Sequence, residues 1–368
     1  MDADATNCDS AAVRGADNLI HSCLRNPAGS FILLVCEDPS LGWYDDAAPD
    51  LVEKQLILHG AHVKRMKVGL PTNSTDTALL AAIEAADAVI FFARIGDQGR
   101  FKPWYASRRS VMSYALTIDM LASGYGTLDH DMMVTFKHAI DQITLEAEHI
   151  AVTCPLGTSF EGGPGNSLQR GKEVAIGRFP MGIPRPILNE GFCGQVVLAH
   201  YLTPTGSRVY HPESLLLPEP VTAHFEGNRI TNFAGPANIV AEVELHYRQI
   251  AESFDLDAWY IDSWHAGIHP LMSYDMPVAQ DPVRWSNTGF QHPRMLHFHT
   301  CGSAPPGEVT WIVIDPTITI DGVALWENGH LHPERFTATK EILDMAPDFA
   351  AAFQQQNRQI GLDAEQIA

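Results

Sequence analysis

The sequence predicts an α/β fold in which an N-terminal, doubly wound parallel-sheet domain over residues 1–165 precedes a β-rich α+β domain over residues 166–368. Short continuous apolar runs alternate with helical patterns in the first half, which is typical of parallel strands buried on both faces. After residue 170 proline becomes frequent and the runs alternate between apolar and polar residues, which indicates antiparallel strands. We therefore expect two domains of different architecture.

In the first domain the strongest signals are residues 31–36 and 88–93, two apolar runs of strand length. Asp76 lies close to the start of a helical segment, where a carboxylate caps free backbone N–H groups. No GxGxxG motif follows the first strand, and the glycine-rich residues 157–165 lack the Lys and Ser/Thr of a P-loop. The predicted order is strand 31–36, helix 50–59, strand 63–68, helix 74–86, strand 88–93, strand 111–115, helix 130–149 and strand 150–153, with 150–153 closing this half.

The second domain is predicted from short alternating runs with one clear helix among them. Residues 239–253 place Ile239, Val243 and Ile250 on one stripe, as a helix with one buried face requires. Residues 337–355 also have a helical pattern. The strands are predicted at 195–200, 221–225, 229–233 and then through the segments between 259 and 322.

Composition excludes several classes of partner. The chain has 24 Lys plus Arg against 44 Asp plus Glu and a formal net charge of -20, which disfavours nucleic acid and anionic membranes as partners. No segment has the length of a membrane span, and the acidic N-terminus does not resemble a secretory signal. The six cysteines show no framework spacing. We expect a cytoplasmic protein with reduced thiols.

Four histidines in two short segments make the second domain the candidate metal-site domain. His297 and His299 are two apart in a strand pattern, so both side chains point to the same face. His265 and His269 precede them, but Gly267 interrupts any helix, which favours a strand running into a turn with only one of the pair facing inward. With Glu308 nearby, the cluster favours a metal site over packed histidines, although HExxH and CxxC motifs are absent.

The chain resembles one family, on motifs in its second domain. The first motif is residues 179–184, which lead through 189–191 into the strand 194–199. The second is the turn at 267–270, and the third is the closing strand pair within 298–322. On these residues the chain is similar to the 2,5-dihydroxypyridine 5,6-dioxygenases, which in turn resemble the aminopeptidase T metallopeptidases. The resemblance implies either a mononuclear Fe(II) ring-cleaving dioxygenase or a metal-dependent hydrolase, and a homo-oligomer. Ser263 stands where the family has a His, two residues before His265, and Glu308 stands where it has His-x-Asp.

The resulting prediction is a mononuclear non-heme Fe(II) dioxygenase that cleaves a hydroxylated aromatic or N-heteroaromatic ring with O2. His265, His299 and Glu308 are predicted to ligate the iron as a facial triad, which leaves positions for a chelating substrate and dioxygen. His297 or His269 is predicted as the acid–base group. Asp262 or Asp315 would orient an imidazole.

Two alternatives stay open at this point. The first is an aminopeptidase- or amidase-like hydrolase, in which Zn(II) or another divalent ion activates water and Glu190 or Glu308 acts as base or ligand. The second is a binding protein whose histidines are structural. Tyr260, Trp264 and Trp311 are predicted to wall the substrate ring if the chain is an enzyme, although aromatic residues at strand spacing are more often part of a core.

Overall fold

The computed structural model describes residues 3–74, 76–101, 109–164, 174–303 and 307–362. The chain divides into two compact units, one of Met1–Val134, Glu173–Met181 and Gly206–Val209, and one of Thr135–Lys172, Gly182–Thr205 and Tyr210–Ala368. The predicted domain boundary between residues 165 and 166 lies outside the described residues. None of the helices in the described part of the chain combines the length and apolar character that a membrane crossing requires.

The first unit contains a parallel sheet with helices between its strands, as predicted. Its strands are β1 Phe31–Glu37, β2 His62–Val68, β3 Ala88–Phe92, β4 Arg109–Ser113 and β7 Gly177–Phe179, in the order β2-β1-β3-β4-β7. Its helices are α1 Ala3–Leu19, continued by a π-helical turn Ile20–Leu24, then α2 Ala47–Leu58, α3 Thr77–Ala85, α4 Arg94–Gln98, α5 Ile118–Ala122 and α6 Gly124–Thr127; α7 is His130–Glu146. Asp76 caps α3 by accepting from the N–H groups of Ala78 and Leu79.

Strand burial in this sheet follows the sequence pattern. β3 is buried at every position, and β1 at every position but its first, because both are central strands covered on two faces. β2 lies at the sheet edge and alternates between exposed and half-buried residues. The continuous apolar runs therefore mark the centre of this sheet.

The second unit is built on a twelve-stranded sheet whose pairings are all antiparallel within the described residues. The strand order is β17-β16-β15-β5-β6-β9-β14-β13-β12-β8, and β10 pairs with β9 and β11. The strands are β5 Ile150–Thr153, β6 Ser159–Gly162, β8 Ile187–Leu188, β9 Phe192–Pro204, β10 Leu215–Glu226, β11 Arg229–Ala234, β12 Ile261–Ala266, β13 Met295–Thr300, β14 Val309–Ile314, β15 Thr317–Ile320, β16 Val323–Glu327 and β17 His330–Leu331. The helices are α8 Ala237–Phe254, α9 Pro282–Gly289, α10 Thr337–Met345 and α11 Pro347–Gln354.

The placement of residues 150–153 in the parallel half of the fold is wrong. This strand, β5, lies between β6 and β15 in the antiparallel sheet. Its burial alternates, with Ile150 and Val152 buried and Thr153 exposed, which is typical of a sheet with one covered face. A helix followed by a strand does not reveal which sheet the strand joins. One partner of β5 is the next strand, β6, across a short loop, and the other partner, β15, lies far away in the sequence.

An aromatic core covers one face of the strands β12, β13 and β14. Trp264, Phe298 and Trp311 lie opposite one another in the strand register. Phe160, Phe192 and Phe225 pack on them, with ring centroids between 5.3 and 6.3 Å apart. The prediction that Trp264 and Trp311 wall a substrate ring is therefore wrong, because they occupy the face opposite to the histidines.

Candidate metal centre

Strand register brings three of the four predicted histidines together on one face of the sheet. In the antiparallel pair β12–β13, His265 lies opposite His297, and Ser263 lies opposite His299. Opposed residues in such a pair point to the same face, and so do residues two apart in a strand. His265, His297 and His299 therefore point to the same face. The sequence predicted this for His297 and His299.

The three imidazoles are in mutual contact in the interior of the unit. Nε2 of His265 lies 2.7 Å from Nε2 of His297 and 3.3 Å from Nε2 of His299. One ligand nitrogen from each ring lies within 4.8 Å of the other two. The side chains are buried, with relative exposures of 3%, 5% and 7% in chain order. Three imidazole nitrogen atoms are thus close together at one buried position.

The backbone near Pro184 fixes the orientation of the central ring. Nδ1 of His265 lies 3.2 Å from the carbonyl oxygen of Pro184, and only the tautomer protonated at Nδ1 can donate this bond. Nε2 then carries the lone pair that faces the other two rings. A carbonyl partner on the second nitrogen is the usual arrangement for a metal-ligating histidine.

The donor set fits a divalent transition metal. Two nitrogens that are each ~2.1 Å from one ion lie roughly 3.0 to 3.4 Å apart at tetrahedral or octahedral angles. The separation of 3.3 Å between His265 and His299 falls in this range, and the 2.7 Å to His297 requires only a small rotation of one ring. Imidazole binds Fe(II) and Zn(II) alike, so the ligands alone do not choose between them.

A further polar group on this face has no partner within the described part of the chain. Thr203 in β9 lies opposite Thr310, which lies opposite His299, so its side chain points to the histidine face. Thr203 is fully buried, and its Oγ1 makes no hydrogen bond. A buried hydroxyl in this state destabilises the chain by itself, and a bound polar ligand would satisfy it.

The predicted ligand Glu308 is buried beside β14 but is not a member of the group of three. Its carbonyl oxygen accepts a hydrogen bond of 2.7 Å from the Tyr210 hydroxyl, and its N–H donates to Thr300. Burial, and to a smaller degree the negative charge of Glu308, raises the pKa of Cys301 to about 12. Cys301 is therefore a protonated, unreactive thiol. The role of Glu308 as ligand stays a prediction.

His269 and Glu190 lie apart from the three histidines. The strand β12 ends at Ala266 and His269 follows the turn, as predicted, with its Nδ1 accepting from the N–H of Leu271 at 3.3 Å. The turn requires Gly267, since a Cβ there would lie 2.3 Å from the backbone of Gln291. Glu190 is exposed on a 3-10 turn, Asn189–Gly191. The acid–base roles of His269 and Glu190 stay predictions.

The two aspartates proposed to orient an imidazole have other partners. Asp315 accepts two hydrogen bonds of 2.6 Å from Arg294 and one of 3.2 Å from Arg358. Asp262 accepts from the Ser263 hydroxyl at 2.9 Å. The group that holds an imidazole in place is instead the Pro184 carbonyl, and no side-chain pattern in the sequence marks a backbone oxygen.

Two residues on the histidine face were not found by sequence reasoning. Phe290 packs edge-on against His297, with ring centroids 5.2 Å apart, and Thr203 supplies the buried hydroxyl. Thr203 lies in a run of β9 whose neighbours Leu202 and Pro204 are also buried. Thr203 lies two strands from His299, with Thr310 between them. Its place on this face depends on the pairing of β9 with β14, and local sequence does not encode that pairing.

Comparison with known proteins supports the fold. No family model matches the chain, and a search of curated proteins finds no match. Among solved structures, the 2,5-dihydroxypyridine dioxygenase from Pseudomonas putida KT2440 is similar with a TM-score of 0.58 at 13% identity, over 90% of this chain and 99% of that one. Wild-type AmpT from Thermus thermophilus is similar with a TM-score of 0.52 at 10% identity, over 88% and 99%. The resemblance seen in the sequence is thus confirmed, and at these identities it shows the fold.

Proposed function

We propose that this protein is a metal-dependent enzyme whose ion is held by His265, His297 and His299. The observation that carries the proposal is the convergence of three Nε2 atoms, with separations of 2.7 and 3.3 Å from His265, at a buried point. Two of these rings can share an N–H···N hydrogen bond, whereas a cation would engage all three nitrogens at once. A shared cation would also compensate the burial of three polar rings.

The charge of the site favours an anionic, chelating substrate. Three neutral imidazoles leave both positive charges of a divalent ion uncompensated, and a buried charge is stable only when it is paired. A deprotonated hydroxyl and an adjacent ring nitrogen or carboxylate could supply that negative charge from one molecule. We therefore infer a hydroxylated aromatic or N-heteroaromatic compound as substrate.

Fe(II) is the ion we favour, and the reaction is ring cleavage with O2. When bound, Fe(II) would supply open positions at which a chelating ring and dioxygen meet. The similarity in fold to a 2,5-dihydroxypyridine dioxygenase supports this choice. A homo-oligomer and a cytoplasmic location, both expected from the sequence, belong to the same proposal.

The chain's own residues would orient the substrate and move its proton. Pro184 holds His265 in the tautomer that directs Nε2 to the ion. Phe290 presents a ring edge next to His297 and would border an aromatic substrate. Thr203 would donate or accept a hydrogen bond to it. His269 is the proposed acid–base group, and Glu308 is proposed as an added ligand or as a partner of one.

A hydrolase is the second candidate, and the same donor set favours it. Three imidazoles with an open position form the zinc site that lowers the pKa of a bound water to about 7 in hydrolytic and hydrating enzymes. The similarity in fold to AmpT supports this alternative. Glu190 or Glu308 would then act as base. Both the dioxygenase and the hydrolase are metal-dependent enzymes, and they differ in the reaction that they catalyse.

Oxygen uptake by anaerobically Fe(II)-loaded protein tests the first candidate. We expect uptake with loss of ring absorbance for at least one of a panel of hydroxypyridines, catechols and aminophenols, and none with Zn(II). The matched variants are His299→Gln, which should lose activity and iron, and His332→Gln, which should keep both because His332 lies outside the centre. Turnover of amides, esters or peptides by the Zn(II) form, without any oxygen uptake by the iron form, would overturn the dioxygenase in favour of the hydrolase.

A further inference from the structure

A second group of potential ligands lies in the first unit, separate from the three histidines. Asp17, His21 and His59 each offer one ligand atom, and these atoms lie within 4.8 Å of one another. Nε2 of His59 lies 3.0 Å from Oδ1 of Asp17, and the rings of His21 and His59 meet edge to face with centroids 4.7 Å apart. We propose that these residues form a divalent transition-metal site that takes Zn(II) or a similar ion.

The helical geometry places the three side chains at one spot. Asp17 and His21 are four apart along α1 and its π-helical continuation, so they are neighbours on one face. His59 follows the last residue of α2, and Gly60, at φ +83°, ends that helix. Single π-helical turns occur often at functional sites, because the extra residue changes the direction of a side chain.

The tautomer of His21 leaves its Nε2 able to bind a metal ion. Its Nδ1 lies 2.8 Å from the backbone oxygen of Asp17, so the ring donates from Nδ1 and keeps the lone pair on Nε2. This carbonyl partner is the arrangement that also holds His265 through Pro184 in the second unit. Metal-ligating histidines are commonly fixed in this way.

The local electrostatics favour a cation at this position. His21 lies within the final turn of the first helix and His59 caps the end of the second, so two helix C-termini meet at the group. The carbonyl ends of helices carry partial negative charge, which attracts cations. Asp17 adds a full negative charge, and the chain as a whole has a formal charge of -20.

The site is open to water, and its ligands can adjust. The side chains of His59 and Asp17 are 32% and 35% exposed, and His21 is exposed. Ligand atoms up to 4.8 Å apart must approach to roughly 3.3 Å around a tetrahedral zinc ion, which partly exposed side chains can do by rotation. Water would complete the coordination. An ion held here would link the end of α1 to the end of α2, and so would stabilise the first unit.

Metal stoichiometry of the full-length protein, purified without a histidine tag, tests this proposal. The variants His21→Gln and His59→Gln should each bind one Zn(II) fewer per chain than the wild type after equilibrium dialysis. His62→Gln is the matched control, since His62 is an exposed histidine three residues beyond His59 and outside the group, and it should bind as the wild type does. His299→Gln should lose a different ion, so that the variant carrying both His21→Gln and His299→Gln binds none.

A second readout separates a specific site from loose surface binding. Zn(II) should raise the melting temperature of His299→Gln, and this rise should disappear when His21→Gln is added, while circular dichroism shows both variants folded. Unchanged stoichiometry in His21→Gln and His59→Gln would refute the site, whatever the outcome at the three buried histidines. An equal loss of zinc in His62→Gln would show surface binding only and would also refute it.

Discussion

The two faces of strands β12, β13 and β14 differ in the polar groups that they bury and in how these groups are arranged. On the aromatic face, Trp311 Nε1 donates to the Tyr247 hydroxyl, which lies 2.6 Å from Thr300 Oγ1. Thr300 in turn donates to the carbonyl oxygen of Val309 at 2.8 Å. Every donor in this chain of bonds finds an acceptor inside the protein. Within the described residues one further polar atom of this face, Trp264 Nε1, is buried without a hydrogen-bond partner.

On the histidine face the polar groups are three imidazoles within hydrogen-bonding distance of one another. The Nε2 atoms of His297 and His299 both lie close to Nε2 of His265, and Thr203 Oγ1 has no hydrogen-bond partner in the described part of the chain. Both faces are equally buried, so burial does not distinguish them. We conclude that a functional face is recognised by several polar groups that point to one common position, and that the degree of exposure does not identify it.

The largest expected effect is loss of stability from the aromatic face. Phe298→Ala removes a ring that contacts Trp264, Trp311 and Phe160, and it should lower the free energy of unfolding by about 3–5 kcal/mol. The neighbouring change His297→Gln on the other face should cost the metal-free protein less, about 1–3 kcal/mol, because it breaks one buried hydrogen bond to His265 but removes little apolar surface. Urea denaturation of metal-free protein measures both. Equal losses would show that the two faces do not differ in role.

Acid titration gives the next largest effect and tests a histidine that serves packing. His246 precedes Tyr247 on α8, and burial lowers its pKa to about 4. The unfolded chain takes up this proton near pH 6.5, whereas the folded chain takes it up only near pH 4. Stability therefore falls as the pH drops through this window, by about 1.4 kcal/mol per pH unit or roughly 3 kcal/mol in total.

The variant His246→Gln isolates that contribution. Metal-free protein carrying this change should lose less stability between pH 6.5 and pH 4 than the wild type does. The dependence of stability on pH that remains in this variant includes a contribution from His130, because burial lowers the pKa of His130 to about 4 as well. An unchanged slope would mean that His246 is protonated in the folded state as readily as in the unfolded one.

Metal addition at the histidine face should stabilise the protein by a slightly smaller amount. An ion that binds the folded chain alone adds about 2.7 kcal/mol when its free concentration is 100 times its Kd. In a His21→Gln background, which excludes the proposed second site, His299→Gln should lose this gain and His332→Gln should keep it. Thermal unfolding with and without Fe(II) or Zn(II) measures the gain. A gain that persists in His299→Gln would place the ion elsewhere.

The sequence contains the local part of this arrangement. The spacing of His297 and His299 shows that they share a face, and Gly267 marks the turn between His265 and His269. The expectation that only one of these two histidines faces inward is wrong, because both are buried. The runs at 31–36 and 88–93 identify the central parallel strands. Each of these inferences uses residues close together in the chain, where strand periodicity and turn chemistry are decisive.

The non-local part could not be predicted, for a physical reason. The contact of His265 with His297 depends on the pairing of two residues 32 positions apart in the chain, and Thr203 joins the histidine face through the pairing of β9 with β14. Residues 150–153 pair with the distant strand β15 on one side, which is equally non-local, although their other partner, β6, is the next strand in the chain. Trp264 and Trp311 fall on the opposite face because a shift of one residue along a strand reverses the direction of a side chain.

The smallest expected effect, and the sharpest test of the comparison, comes from two threonines that are both fully buried. Thr300 belongs to the aromatic face and Thr203 to the histidine face. Thr300→Val should cost about 1–3 kcal/mol, because it leaves Tyr247 without its hydroxyl partner. Thr203→Val should change the stability of the metal-free protein by no more than about 0.5 kcal/mol, or stabilise it slightly, because it removes a hydroxyl that has no hydrogen bond.

Activity should reverse this order. If the Thr203 hydroxyl contacts the substrate, Thr203→Val should raise KM or lower turnover of the metal-loaded enzyme, whereas Thr300→Val should leave turnover unchanged at temperatures where it is folded. Urea denaturation and steady-state kinetics on the two variants together measure the contrast. A Thr203→Val protein that is as destabilised as Thr300→Val would mean that the hydroxyl has a structural partner, and the histidine face would then need no ligand to explain it.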